Sequence, residues 1–131
     1  MGQAPSKSFD PLRDLPDIKG KVVLVTGSSS GIGFDTLRYL VKLGAKVYMA
    51  ARSEERAKSA IERLEKEGKE PGNCGVLWHE LDLVDPRKAK ASAEKFMEKE
   101  ERLDILINNA AMFVEFTLPH LNFLNDSFQY K

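Results

Sequence analysis

A buried-type strand that runs without interruption into a glycine-punctuated turn, Val22-Val23-Leu24-Val25-Thr26-Gly27-Ser28-Ser29-Ser30-Gly31-Ile32-Gly33, constrains this chain more than any other feature. Residues 21–26 are short, apolar and rich in β-branched side chains, as a central parallel strand covered on both faces should be. The turn behind it needs backbone that L-residues resist, and Gly27 supplies it. Gly31 and Gly33 remove Cβ atoms that would keep an anion or a packed strand away from the main chain. Free N–H groups at the start of the following helix, with its dipole behind them, then face that anion. The segment is built to hold a phosphate.

Strand-like and helix-like periodicity alternate along the rest of the chain. Residues 32–43 present Ile32, Leu37, Leu40, Val41 and Leu43 at helical spacing, with Gly44 as the stop. Residues 46–51 read as the second strand. Ser53 can cap a charged helix running to about residue 67, with Glu54 and Glu55 in its positive first turn and Gly68 beyond its end. Residues 70–74 form a polar connector and residues 75–81 the third strand. Asp85-Pro86 opens another helix, whose buried stripe is expected at Ala89, Ala93, Phe96 and Met97. Residues 103–108 are the fourth strand. This is an α/β pattern, and right-handed crossovers place its four parallel strands in the order 3-2-1-4. A ligand crevice then belongs at the carboxyl ends of strands 1 and 4, where the order reverses.

The 20 basic and 20 acidic residues cancel, so no electrostatic feature points to nucleic acid. No apolar run approaches the roughly 18 residues of a membrane span. Residues 1–20 are polar, carry Pro5, Pro11 and Pro16, and read as a flexible leader rather than a secretory signal. Met1-Gly2-Gln3-Ala4-Pro5-Ser6 fits the N-myristoylation pattern, leaving an unmodified and a weakly membrane-associated leader both open. The single cysteine, Cys74, suits a reducing compartment. A cytoplasmic protein is expected.

The spacing Thr26-Gly27-x-x-x-Gly31-Ile32-Gly33 resembles the cofactor signature of the short-chain dehydrogenase/reductase family. Three more elements follow in that family's order. Strand 2 ends in Ala50-Ala51-Arg52-Ser53, with a guanidinium where an NAD enzyme would hold the ribose 2′-hydroxyl with an acid, a chemistry that favours NADP(H) over NAD(H). Asp82-Leu83 after strand 3 resembles the family's adenine-holding pair. Asn108-Asn109-Ala110-Ala111 is similar to its Asn-Asn-Ala-Gly element, with Ala111 in place of the glycine. The resemblance, over residues 20–111, implies a Rossmann-like doubly wound parallel sheet. It implies cofactor contacts at Gly27, Ser29, Ser30, Gly31, Ile32, Gly33, Arg52, Asp82, Leu83 and Asn109, and hydride exchange with a carbonyl or alcohol of a small-molecule substrate.

Family catalysis resembles acid chemistry by a tyrosine tuned by a lysine four residues later, aided by a serine. No Tyr-x-x-x-Lys occurs here: Tyr39 is followed at that distance by Leu43 and Tyr48 by Arg52, while Tyr130 precedes only Lys131. Tyr39 and Lys42 read as structural, as do His79 and His120, which assemble no metal set. Asn122 and Asn125 match the family's active-site asparagine poorly. At 131 residues the chain is short of the ~250 of a complete doubly wound dehydrogenase. The expectation is a truncated member: a leader (1–20), a cofactor-binding half-domain (21–111), and a tail (112–131) with no assigned structure. Strand 4 then becomes an edge open to the tail or to another chain. The alternative is a non-catalytic NADP(H)-binding or protein-interaction fragment.

Overall fold

The computed structural model describes residues 8–67 and 75–111. In chain order the elements are α1 (Pro11–Asp14), β1 (Val22–Thr26), α2 (Gly31–Lys42), β2 (Lys46–Ala51), α3 (Glu54–Lys66), β3 (Val76–Glu80), α4 (Pro86–Lys99) and β4 (Ile105–Ile107). The strands form one parallel sheet in the order β3-β2-β1-β4, as right-handed crossovers require. The register pairs Val22 with Lys46 and Thr26 with Ala50, whereas β1 and β4 share only Val23–Ile105, Leu24–Leu106 and Val25–Ile107.

Side chains alternate across this sheet because successive Cβ atoms point to opposite faces. Val23, Val25, Val47 and Met49 meet Phe34, Leu37, Leu40 and Val41 of α2 and Ala57, Ala60 and Leu64 of α3 in the larger core. On the other face Val22, Leu24, Tyr48 and Ala50 meet Phe96 of α4. Two clasps fix the second layer. The Tyr48 hydroxyl donates to Glu100, which also pairs with Lys46, tying the end of α4 to β2. Lys46 and then Tyr48 hold the Glu100 carboxyl below its ordinary range, while burial and Glu100 push the Tyr48 hydroxyl up. Asp104 accepts the Val22 N–H at 2.7 Å and pairs with Arg102 at 3.2 Å, joining the approach to β4 with β1.

The helix ends follow their sequence signals. Gly44, at φ +81°, closes α2 in the left-handed region. Ser53 accepts the Arg56 N–H to cap α3, and Asp85 accepts the Arg87 N–H to cap α4, with Pro86 as its first residue.

Four expectations are corrected. Ile32 is 81% exposed, because the first turn of α2 precedes the point where the helix meets the sheet, and Phe34 takes the first inward position. The registered third and fourth strands are shorter than 75–81 and 103–108, although backbone bonds from Val47 N–H to the Gly75 carbonyl (3.4 Å), from Leu81 N–H to the Ala51 carbonyl (3.2 Å) and from Asp104 N–H to the Val22 carbonyl (2.9 Å) carry the contact beyond them. The leader is not wholly detached: Ile18 is buried in the larger core and the Gly20 N–H donates to the Gly44 carbonyl at 2.9 Å. Along α4 the buried positions are Ser92 and Phe96, one turn apart, while Ala93 and Met97 are exposed and Ala89 half-buried. Those three flank a slot of about 530 Å³ between α4 and β4, lined also by Leu24, Leu103 and Leu106. Gly2, Gly68, Cys74, His120, Asn122, Asn125, Tyr130 and the tail from residue 112 lie outside the described residues.

Candidate functional site

The turn between β1 and α2 is shaped by three glycines for two different reasons. Gly27 (φ +63°) and Gly31 (φ +60°) both occupy the left-handed region, where a side chain is strained. At Gly31 nothing lies within 4 Å of an added Cβ, so conformation rather than crowding requires glycine there. Gly33 is the reverse case. A Cβ on it would lie 2.5 Å from Asn109 Nδ2, 2.7 Å from the Gly27 carbonyl oxygen and 2.9 Å from Ser28 Cα. Its missing side chain lets α2 begin directly against the turn. Ser28 is fully buried, its hydroxyl donating to the Val25 carbonyl at 2.8 Å, and this leaves Ser29 and Ser30 facing outward.

Ser30 stands at the N-cap of α2 in extended conformation (φ −159°), yet its side chain makes no capping hydrogen bond. The caps of α3 and α4 are made, so α2 is the long helix whose first-turn N–H groups find no side-chain acceptor among the described residues. Nor does its first turn contain an acidic residue. Orphan donors beside a cleft, with the helix dipole behind them, fit a phosphate.

The end of β4 is stitched to the end of β1 by a residue whose role the sequence did not disclose. Thr26 Oγ1 accepts the backbone N–H groups of Asn109 at 3.0 Å and Ala110 at 2.9 Å. The Asn109 amide donates to the carbonyls of Thr26 at 3.0 Å and Gly27 at 3.2 Å, so its nitrogen braces the glycine turn. A threonine closing an otherwise aliphatic strand was the available signal. Ala111, where the family pattern has glycine, has no positive φ and takes its place at the cleft without strain.

These ends surround a cleft of about 360 Å³ over the carboxyl edge of the sheet. Of the expected contacts, Gly27, Ser29, Ser30, Arg52, Leu83 and Asn109 line it; Gly31, Ile32 and Gly33 form the helical turn behind, and Asp82 does not line it. The Asp82 carboxylate accepts the Val84 N–H at 3.1 Å and pairs with Lys88 at 2.9 Å, beside a separate hollow. Lys88 first, then the Val84 N–H, hold it below the usual carboxylate range. Among the described residues no carboxylate lines the cleft, whereas two guanidiniums do: Arg52, singled out by its place after β2, and Arg56, which was not. Its field is therefore set for an anion.

The buried titratable groups lie elsewhere. His79 of β3, 2% exposed, rests edge-on to Tyr48 and Phe96. The Ser92 hydroxyl donates to the Glu80 carbonyl, so His79 Nε2 is the donor to Ser92, at 2.8 Å to Oγ and 3.0 Å to the carbonyl oxygen. Nδ1 is buried without a partner and would need an acceptor if protonated. Burial, then Lys99, lowers the His79 pKa from its ordinary 6.5, while Ser92 and Glu80 act in the opposite sense and Lys95 in the same. The unfolded chain thus takes up a proton that the folded chain refuses as pH falls below about 6.5, and stability falls with it. Urea denaturation midpoints are expected to drop from pH 7 to pH 5.5. His79→Gln should flatten that slope, and a variant with an unchanged slope would remove His79 as its cause. Among the described residues no cluster of His, Cys, Asp or Glu could hold a metal ion, and no helix is long and apolar enough to cross a membrane.

A parallel sheet in the order 3-2-1-4, layered by helices on both faces and opening on a glycine turn at the switch of strand order, is an α/β fold of the Rossmann type. The sequence profile of the short chain dehydrogenases matches residues 21–129, past the Ala111 at which recognisable motifs stop, and the chain belongs to that family. It is 53% identical over 97 residues to a short-chain dehydrogenase/reductase of Armillaria gallica, covering 74% of this chain and 30% of that protein. The RhlG–NADP active-site complex of Pseudomonas aeruginosa is similar at a TM-score of 0.63 and 33% identity, over 73% of this chain and 35% of its own. L-Sorbose reductase of Gluconobacter frateurii, complexed with NADPH and L-sorbose, is similar at 0.64 and 31% identity, over 80% and 39%. The chain thus spans well under half the length of the relatives it matches.

Proposed function

We propose that this chain is the NADP(H)-binding portion of a short-chain oxidoreductase that exchanges hydride with a carbonyl or alcohol. The observation that carries this reading is the cleft itself, with two guanidiniums and no carboxylate beside an uncapped helix N-terminus. The donors of the turn and of α2 from Ser29 to Gly33 suit the pyrophosphate. Arg52 suits a 2′-phosphate through charge-assisted hydrogen bonds that an acid would forbid. Leu81 and Leu83 offer an apolar wall for adenine, and Asn109 with Ala110 and Ala111 lines the opposite side. The bound dinucleotide would supply the hydride; these residues bind and orient it. The two structural relatives above, both described with NADP or NADPH, support the choice of cofactor.

Exchanging the sign of charge at position 52 tests the reading. Arg52→Asp should weaken NADPH binding at least tenfold, the scale of one hydrogen bond between charged groups, and leave NADH binding intact or improved. Retained preference for NADPH in that variant would contradict it.

No Tyr-x-x-x-Lys lies within the 131 residues, so the proton-transfer step of a complete enzyme is assigned to none of them. A second reading, a non-catalytic cofactor-binding or interaction module, draws on the position of β4 at the end of the sheet formed by the described residues, where Leu103 and Leu106 are 41% and 52% exposed.

A further inference from the structure

The peptide between Ser29 and Ser30, in the middle of the glycine turn, is held from one side. A trans peptide points its C=O and its N–H in opposite directions, so whatever fixes one aims the other. The Ser29 carbonyl accepts from Arg63 Nη2 at 3.3 Å, a contact that reaches back 34 residues from the last turn of α3. Arg63 walls the hollow outside the turn together with Ser29 and Ser30, whereas the cleft is lined by those two serines without it. The Ser30 N–H is thereby turned away from the hollow. It is also unspent. In a capping box a Glu or Gln three residues past the cap would return to this N–H, and that position is Gly33. Among the described residues the Ser30 N–H donates to nothing.

The sequence alone gives Arg63 a simpler task, since a cation in the last turn of a helix complements the dipole. Lys66 does that as well. The dipole does not require the guanidinium to leave its own helix, yet Arg63 Cζ lies 4.4 Å from the ring centroid of Phe34, which is itself buried in the larger core under α2. The cation–π contact fixes the guanidinium beside α2 with one N–H edge on the turn. Released from that edge, the Ser29–Ser30 peptide is free to rotate and present a carbonyl oxygen to the cleft, where its partial negative charge would repel an anion.

We propose that Arg63 is a positioning residue of the cleft: by holding the Ser29 carbonyl from outside, it keeps the Ser30 N–H aimed at the pyrophosphate of the dinucleotide. It touches no part of the ligand. This rests on the reading of the cleft given above and adds to it a device on α3 that orients the turn. Because NADPH and NADH share the pyrophosphate, the effect of Arg63 falls on both equally, unlike that of Arg52.

The test is calorimetric titration of the full chain with NADPH and with NADH, for wild type, Arg63→Met and Arg63→Lys, with circular dichroism to show that each is folded. Methionine keeps an unbranched stem against Phe34 and loses the donor, whereas lysine keeps a cationic donor. Arg63→Met should weaken both dinucleotides about fivefold, the worth of one ordinary hydrogen bond, with their ratio unchanged, and Arg63→Lys should recover part of the loss. A second measurement needs no variant: the Ser30 amide resonance of the wild type should shift on titration with inorganic pyrophosphate. A folded Arg63→Met chain with wild-type affinities, a loss confined to NADPH, a lysine variant no better than methionine, or a Ser30 amide that pyrophosphate leaves unmoved would each overturn the role of Arg63 and leave the reading of the cleft intact. A wild-type chain that is folded and binds neither dinucleotide would overturn that reading and the inference with it.

Discussion

Gly33→Ala is expected to destabilise the fold by about 2–3 kcal/mol, at the upper end of what overpacking costs in a close-packed interior. The added methyl has nowhere to go. Two of the three atoms it meets, the Gly27 carbonyl oxygen at 2.7 Å and Ser28 Cα at 2.9 Å, are main chain, and the third, Asn109 Nδ2 at 2.5 Å, is held by two carbonyls. Relief requires α2 to move off the turn, which opens the larger core at Phe34 and Leu37 and displaces the donors that face the cleft. A melting temperature lower by roughly 10 °C follows for a domain of this size, together with loss of dinucleotide binding. Gly31→Ala is the control. Its surroundings are empty, so it should cost only the ~1–2 kcal/mol of a left-handed alanine. Thermal denaturation followed by circular dichroism measures both, and a Gly33→Ala chain melting with the wild type would refute the packing argument.

Thr26→Val tests the second junction. Valine keeps the shape and the β-branch but removes the acceptor of two backbone N–H groups at a site 5% exposed. The Asn109 N–H retains an alternative, the Ile107 carbonyl at 3.0 Å, so its loss is small. The Ala110 N–H has no such second acceptor among the described contacts, but Ala110 is exposed, so water replaces part of what is lost and the cost is that of one ordinary hydrogen bond, about 0.5–1.5 kcal/mol. A total of about 1 kcal/mol is expected, with faster amide exchange at Ala110 than at Asn109 and weaker dinucleotide binding as that wall of the cleft loosens. Thr26→Ser, which restores the hydroxyl and forfeits one methyl, should recover most of the loss. A valine variant as stable as wild type would show that the stitch contributes nothing.

The strand order and the element sequence were readable because each signal is local and redundant. Alternating apolar runs, Gly44 past a helix, Ser53 and Asp85-Pro86 ahead of two others, all act within a few residues of themselves. What the sequence concealed depends on contacts far apart along the chain. The stripe of α4 was misjudged because alanine and methionine at helical spacing do not reveal whether anything lies opposite them. Ser92, polar and absent from that stripe, is buried because the Glu80 carbonyl and His79 await it across 12 and 13 residues. Thr26 joins residues 83 and 84 positions away, beyond any pattern read along one strand. Arg52 was singled out by its position after a strand, whereas Arg56 resembled any charged residue on a solvated helix until the cleft lining placed it beside Arg52. Asp82 shows the converse, a motif residue whose carboxylate is taken by Lys88.

The central claim is that the cleft at the carboxyl edge of the sheet receives a 2′-phosphorylated dinucleotide. Calorimetric titration of the purified chain with NADPH and with NADH, accompanied by a circular dichroism spectrum, tests it most directly. A folded chain that binds NADPH at least tenfold more tightly than NADH is the predicted result. A folded chain that binds neither, or that prefers NADH, would contradict it.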